Sequence, residues 1–188
     1  MENLASKSLP EQADNLILQA QMGNRFAFSQ VYQKHHGHVY ALCLRLTANT
    51  TLAEDACQEV FIHLWHKLDS FDHQSKFSTW LHTVAVRVCI SYLRKQKSWL
   101  QRVVQSEDQG ITEAGLVEIH DLNGLDKLIL KLPERARQVF VLVAVEGYRH
   151  EEVGQLLNIA VGSSKSQYHR AKGLLQQWWQ QAGGQFDE

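Results

Sequence analysis

Apolar positions set out the architecture before any other property is considered. Phe28, Val31, His35, Val39, Leu42 and Leu46 recur at steps of three and four. Such spacing lays one stripe along a helix and predicts a first helical block from about Asp14 to Leu46. Asn49-Thr50-Thr51 interrupts the stripe and offers a capping side chain. A second stripe (Ala53, Ala56, Cys57, Val60, Phe61, Leu64 and Leu68) predicts a helix to about Leu68. Ser70 to Ser78 is polar apart from Phe71 and Phe77 and predicts a loop. A third helix is expected from about Thr79 to Lys97, burying Leu81, Val84, Ala85, Val88 and Tyr92, with Cys89 at the margin. Three helices with complementary stripes make a compact bundle.

The periodicity fades between about Gln101 and Asn123, which reads as a linker, and resumes at Leu125. Leu132-Pro133-Glu134 predicts a helix start with proline in the first helical position, where its missing N–H costs nothing. The apolar run Val139, Phe140, Leu142 and Val143 follows, and Gly147 is expected to cap it. Tyr148 to Leu157 then predicts a short helix, Asn158 to Val161 a tight turn, and Gly162 to Lys172 a second helix. Gly154 is small where the two helices would cross, and Asn158 tolerates a left-handed backbone. Ile159 and Val161 would plug the angle between the helices, and the last helix presents Lys165, Ser166, Gln167, His169, Arg170 and Lys172. This is the layout of a helix-turn-helix whose recognition helix comes last, although a plain helical hairpin shares its outline. The expectation is therefore an all-α chain: a helical bundle over residues 1–99, an acidic linker over 100–124, and a helix-turn-helix unit over 125–188.

Charge changes this picture locally rather than globally. The net charge of −1 advertises no polyanion. Yet Arg87, Arg94, Lys95, Lys97 and Arg102 occur with no acidic residue among them, while Glu107, Asp108, Glu113, Glu118 and Asp121 occur with no Lys or Arg. Such blocks cancel in the sum but not in the local field. On charge alone they fit a solvated helix face beside a polar linker equally well. Cys43, Cys57 and Cys89 form no CxxC pair and lie at apolar helical positions, so buried thiols are expected rather than a disulfide framework. No apolar run is long enough to span a bilayer, and Met1 to Glu11 has no basic segment leading into an apolar one, so a cytoplasmic protein without membrane insertion is expected.

Both helical blocks resemble the extracytoplasmic-function (ECF) class of bacterial RNA polymerase sigma factors. Phe26-Ala-Phe-Ser-Gln-Val-Tyr32 resembles the start of that family's region 2, and Ala53-Glu-Asp-Ala-Cys-Gln-Glu-Val-Phe-Ile-His-Leu-Trp65 its polymerase-binding segment. Phe77-Ser-Thr-Trp-Leu81 with Tyr92-Leu-Arg-Lys95 resembles its promoter-melting segment. Leu132-Pro-Glu-Arg135, Glu146-Gly-Tyr148, Glu151-Glu-Val153 and Val161-Gly-Ser-Ser-Lys-Ser166 resemble region 4, in the family's order.

The resemblance implies a non-enzymatic initiation factor with no cofactor, which binds core RNA polymerase through the β′ clamp helices and the β subunit. It also implies duplex and single-stranded promoter DNA as ligands, and an anti-sigma factor as a further partner. On the second helix Asp55, Glu59, Ile62 and His66 share a face with Gln58 beside it, a carboxylate-and-amide patch suited to basic helices. These residues are expected to meet polymerase. Trp80, Thr83, Arg87, Ser91 and Arg94 share a face of the third helix, where bases stack on rings and cations hold phosphates. With Phe71, Lys76 and Phe77 of the preceding loop, and Lys95, they are expected to meet the minus-ten element. Ser163, Lys165, Ser166, Tyr168, His169, Arg170 and Lys172 are expected at the minus-thirty-five element. Four positions depart from the family pattern: Arg87, Gln167, Ser164 and Tyr168.

Two other readings compete. A helix-turn-helix regulator acting without stable polymerase binding explains the second unit but not the ordered likeness in the first. A helical metalloprotein could use Glu59, His63 and His66, with His35, His36 and His38 as further donors. That carboxylate-and-histidine spacing occurs once, and no nucleophile triad or glycine-rich phosphate loop accompanies it.

Overall fold

The computed structural model describes residues 8–104 and 124–182, and among them every regular element is helical. The predicted first block is two helices, α1 (Ser8–Gln21) and α2 (Arg25–Thr47). The break lies at Gly23, whose φ of +83° no stripe could foretell. Next to it the Asn24 side chain accepts the N–H groups of Phe26 and Ala27 at 3.0 and 3.1 Å. The apolar stripe passes straight through the break, because Ile17, Ala20, Ala27 and Val31 all enter one core.

The turn into α3 (Thr50–Lys67) follows the predicted cap: Asn49 accepts the Leu52 N–H at 2.9 Å. A 3₁₀ turn, Leu68–Ser70, leads into a short loop pinned to α1, where the Gln21 amide donates to the carbonyls of Leu68 and Phe71 at 2.9 Å. Helix α4 (Phe77–Val104) starts before and ends beyond its predicted span, so Gln101–Val104 are helical rather than linker. Residues 105–123, most of the expected linker, lie outside the described residues.

The buried face of α4 also differs from expectation. Leu81, Ala85, Val86, Cys89 and Ile90 are buried, whereas Val84, Val88 and Tyr92 are only half-buried. The cause is that α4 is covered from two sides, by α2 and α3 and by the second helical unit. Cys43, Cys57 and Cys89 are free and buried, as expected. A hydrogen bond to Cys89, together with burial, pushes the Cys43 thiol up, and burial pushes Cys57 up to about 12. Neither Cys43 nor Cys57 is a thiolate near neutral pH.

The second unit comprises α5 (Gly124–Lys131), α6 (Glu134–Phe140), α7 (His150–Leu157) and α8 (Val161–Gln181). Pro133 stands just outside α6 as its N-cap, with ψ 139°, and not in the first helical position. The end of α6 widens into a π-helical turn, Val141–Val145. Gly147, at φ +74°, then reverses the chain, and the Tyr148 N–H returns to the Leu142 carbonyl at 2.9 Å.

The helix-turn-helix begins at His150, not Tyr148, with the Arg149 N–H held by the Glu152 carboxylate at 2.7 Å. Asn158 adopts φ 53°, and an added Cβ at Gly154 would fall 2.9 Å from the Ile159 carbonyl oxygen. Both expectations for the turn hold. Ser164 is buried, and its hydroxyl meets His150 Nδ1 at 2.9 Å. That hydrogen bond satisfies the buried hydroxyl, so a polar residue is tolerated at this position.

The two units share a packed boundary that sequence reading did not anticipate. Arg137 is 7 % exposed and donates to the carbonyls of Leu132 (2.8 Å) and Thr47 (2.9 Å), so it caps the end of α2 from across the boundary. Burial lowers its pKa to about 10, partly opposed by Glu134. Arg45 on α2 meets Asp126 on α5 at 2.8 Å, and this bond raises the arginine's pKa.

Candidate functional site

Three surfaces carry the candidate residues. On α3, Asp55, Gln58, Ile62 and His66 are exposed and Glu59 is half-buried. Ile62 is 55 % exposed although it sits mid-helix, flanked by carboxylates and an amide. The Tyr92 hydroxyl of α4 donates to Asp55 at 3.1 Å and accepts from the Gln96 amide at 2.8 Å, which fixes the carboxylate's place on the surface. Burial is the largest cause that pushes the Tyr92 pKa up.

Beside this face lies an open groove of about 400 Å³ lined by Phe28, Tyr32, Phe61 and Trp65 together with Gln58 and Ile62. Its wall is held by ring contacts, Phe28–Trp65 at 4.8 Å and Tyr32–Phe61 at 4.6 Å between centroids. Tyr32 and Trp65 were not among the sequence candidates. A signal existed: Phe28 and Tyr32 stand four apart on α2, as Phe61 and Trp65 do on α3.

The second surface is the α3–α4 loop and the exposed side of α4. Here one assignment needs correction. Phe71, expected to meet a base, is 3 % exposed and forms the loop's floor, with its ring 5.4 Å from Phe77 and 5.3 Å from Trp80. It has no free face for stacking; it supports the two rings that do reach the surface. Phe77 and Trp80 are half-buried, and Lys76, Arg87, Ser91, Arg94 and Lys95 are exposed. Thr83 is half-buried and donates to the Thr79 carbonyl at 3.2 Å.

The third surface is α8. Ser163, Lys165, Ser166, His169, Arg170 and Lys172 are exposed along it, and the Ser166 hydroxyl donates back to Gly162 at 3.0 Å. Tyr168 is half-buried, its ring stacked 5.9 Å from Phe140 and crossed by His150 at 5.6 Å. The Lys172 ammonium lies 5.9 Å above the same ring. Tyr168 therefore joins the recognition helix to the π-turn helix behind it.

Among the described residues no three or more His, Cys, Asp or Glu side chains are grouped to hold an ion. No helix among them is long and apolar enough to cross a membrane.

The described residues thus form an α-helical bundle followed by a helix-turn-helix unit, with a mixed acidic and apolar face on one and a cationic helix on the other. The Sigma-70 region 2 family matches residues 31–99, and the Sigma-70, region 4 family matches residues 122–175. The chain is 34% identical to the ECF RNA polymerase sigma factor SigW of Bacillus subtilis, over 85% of this chain and 92% of that one. It is 28% identical to the ECF RNA polymerase sigma-E factor of Escherichia coli, over 89% and 93%. The fold is that of the sigma factor RpoE, solved with the anti-sigma factor NepR from Bartonella quintana (TM-score 0.54, 23% identity, 80% of this chain and 94% of that one). The chain belongs to the ECF RNA polymerase sigma factors.

Proposed function

We propose that this sigma factor divides its work among the three surfaces. The α3 face of Asp55, Gln58, Glu59, Ile62 and His66 docks on core RNA polymerase at the β′ clamp helices. Its carboxylates suit a basic partner, and Ile62 supplies an apolar centre to be buried on docking. Lys76, Phe77, Trp80, Thr83, Arg87, Ser91, Arg94 and Lys95 take the unstacked minus-ten strand, with Phe71 beneath the rings. The α8 residues enter the major groove at the minus-thirty-five element.

The observation that carries this reading is the exposed Ile62 among acidic and amide side chains, backed by an aromatic groove. A solvated helix face has no need of either. All these roles are binding roles, performed in the cytoplasm where polymerase works. An anti-sigma factor, as NepR is for RpoE, is proposed as a further partner.

The test is Asp55→Lys with Glu59→Lys. Core affinity should fall by at least about tenfold, roughly 1.4 kcal/mol, while the helical circular dichroism and melting profile stay unchanged. A folded double variant that forms holoenzyme as the wild type does would refute the docking assignment.

A further inference from the structure

The cationic helix α8 packs on the second unit through one side. Ser164, Ala171 and Leu175 on that side are buried and Tyr168 is half-buried, while Lys165, Ser166, His169 and Arg170 stay exposed. Ala171 and Leu175, further along the helix, are apolar. Apolar burial is non-directional, so it fixes how closely α8 lies without fixing how far the helix is rolled about its own axis. The first two turns, which carry Lys165, Ser166 and His169, are anchored differently.

Their two inward residues, Ser164 and Tyr168, both touch the same imidazole. Ser164 is wholly buried, and its hydroxyl lies 2.9 Å from Nδ1 of His150, 14 residues earlier in the chain. The Tyr168 ring meets the His150 ring edge-on, with centroids 5.6 Å apart and planes at 74°. Both contacts depend on angle: a hydrogen bond weakens steeply as it bends, and an aromatic pair prefers particular ring orientations. His150 is itself the first residue of α7, whose start is fixed by the Arg149 N–H on the Glu152 carboxylate at 2.7 Å. Tyr168 is braced in turn by the Phe140 ring, stacked at 5.9 Å and 17°. One side chain thus ties the beginning of α7 to the first two turns of α8.

The tie matters because of leverage. With its side chains an α-helix is about 10–12 Å across, so its exposed tips lie about 5–6 Å from the axis. A roll of about 15° shifts those tips by about 1.5 Å, half the length of a hydrogen bond. Lys165 and Ser166 follow Ser164 directly in the chain and move with it. We infer that His150 is a positioning residue for minus-thirty-five recognition: it touches no base itself, and through Ser164 and Tyr168 it sets the roll at which Lys165 and Ser166 meet base edges. Phosphate contacts tolerate a small roll, because a long flexible cation follows an oxygen as it shifts, whereas base-edge hydrogen bonds do not. This inference rests on the proposed placement of α8 in the major groove.

The test is made on holoenzyme assembled from core polymerase and the full chain. It is presented with a promoter library randomised at the minus-thirty-five element, at two salt concentrations, and the bound sequences are counted. The melting temperature of each free chain is measured alongside. His150→Ala should lower the ratio of best-site to average-site binding by at least about fivefold, the lower end of what one misread base pair costs. Binding to the average sequence and its salt slope should stay as in the wild type, since Arg170 and Lys172 keep their phosphates.

Two further variants separate positioning from stability. His150→Ala takes the partner from a buried Ser164 hydroxyl, and adding Ser164→Ala removes that hydroxyl, so the double variant should melt at or above the single one. Its preference should remain lost, because nothing directional then holds the roll. His150→Asn, which keeps a polar atom near the place of Nδ1, should restore most of the preference.

Unchanged preference in a folded His150→Ala chain would overturn the inference. So would a double variant that reads bases as the wild type does. Uniform weakening across the library with a shallower salt slope would make His150 a phosphate contact instead. Failure of the major-groove placement looks different: the wild-type holoenzyme itself would show no preference among minus-thirty-five sequences, and the inference would fall with it.

Discussion

Gly154→Ala is the sharpest test of the helix-turn-helix geometry. The added methyl would lie 2.9 Å from the Ile159 carbonyl oxygen, closer than carbon and oxygen tolerate. Neither side can yield freely. The Gly154 carbonyl accepts the N–H groups of both Asn158 and Ile159, and Asn158 is held at φ 53° between them. Forcing a methylene into such a site costs about 1–3 kcal/mol. Alanine also gains about 1 kcal/mol over glycine in a helix, which hides part of the clash.

Gly173→Ala supplies the control, because Gly173 is helical with nothing within 4 Å of an added Cβ. The difference between the two variants isolates the clash at about 1–3 kcal/mol. At roughly 2–4 °C per kcal/mol for a chain of this size, Gly154→Ala should melt about 2–12 °C below Gly173→Ala. Relief of the clash opens the α7–α8 angle, so duplex binding at the minus-thirty-five element should fall while core polymerase affinity stays unchanged. Equal melting temperatures for the two variants, with intact duplex binding by Gly154→Ala, would refute the close crossing.

Three further outcomes are expected. Trp80→Ala should reduce permanganate-reactive open complex more than closed-complex binding, because its ring can stack only on bases that have left the duplex; equal losses at both stages would make Trp80 a support for the loop alone. Lys165→Ala should relax preference at particular minus-thirty-five bases at about 1–3 kcal/mol on the good site, whereas Arg170→Ala should weaken all duplexes alike and make the salt slope shallower by about one unit. Binding to a duplex library at two salt concentrations separates the two. Burial, then Lys34 and His38, lower the His35 pKa below 6.5. The unfolded chain therefore takes up this proton first, and folded stability is lost as pH falls from 6.5 through the lowered value; His35→Gln should flatten the loss of melting temperature as pH falls below 6.5.

Much of the fold was legible because periodicity reports burial: the α3 stripe enters the core as read, as do Val31, Val39, Leu42 and Leu46 of the α2 stripe, while Phe28 and His35 are half-buried. What periodicity cannot report is a break that leaves burial unchanged. The Gly23-Asn24 turn is such a break: both flanking helices face the same core, and only the glycine and its capping neighbour mark the junction. The α4 stripe was misread for a related reason. A helix buried from two sides has two apolar faces, and Val86 and Ile90 belong to the one that a single-stripe reading leaves out.

At the candidate sites, exposure of Ile62 followed from its place on the helix face shared with Asp55 and Glu59. Burial of Phe71 did not follow, since a loop aromatic can face either way and only tertiary contacts with Phe77 and Trp80 decide it. Arg45, Asp126 and Arg137 carry no local signal at all. Their partners are 81 and 90 residues distant along the chain, and nothing near either end announces them.

The widened turn at Val141–Val145 bears on how relatives of this chain can diverge. A π-helical turn holds one residue more than the α-helix around it, so it behaves like a single-residue insertion absorbed without breaking the helix. Each residue of an α-helix advances the chain by about 100°. A relative one residue shorter here would turn whatever follows this helix by about 100° relative to whatever precedes it, with every side chain kept. Two such chains could share nearly every residue yet set the helix-turn-helix at a different angle to the first bundle. The inherited difference would be one of length, invisible to a comparison that scores only which residues match.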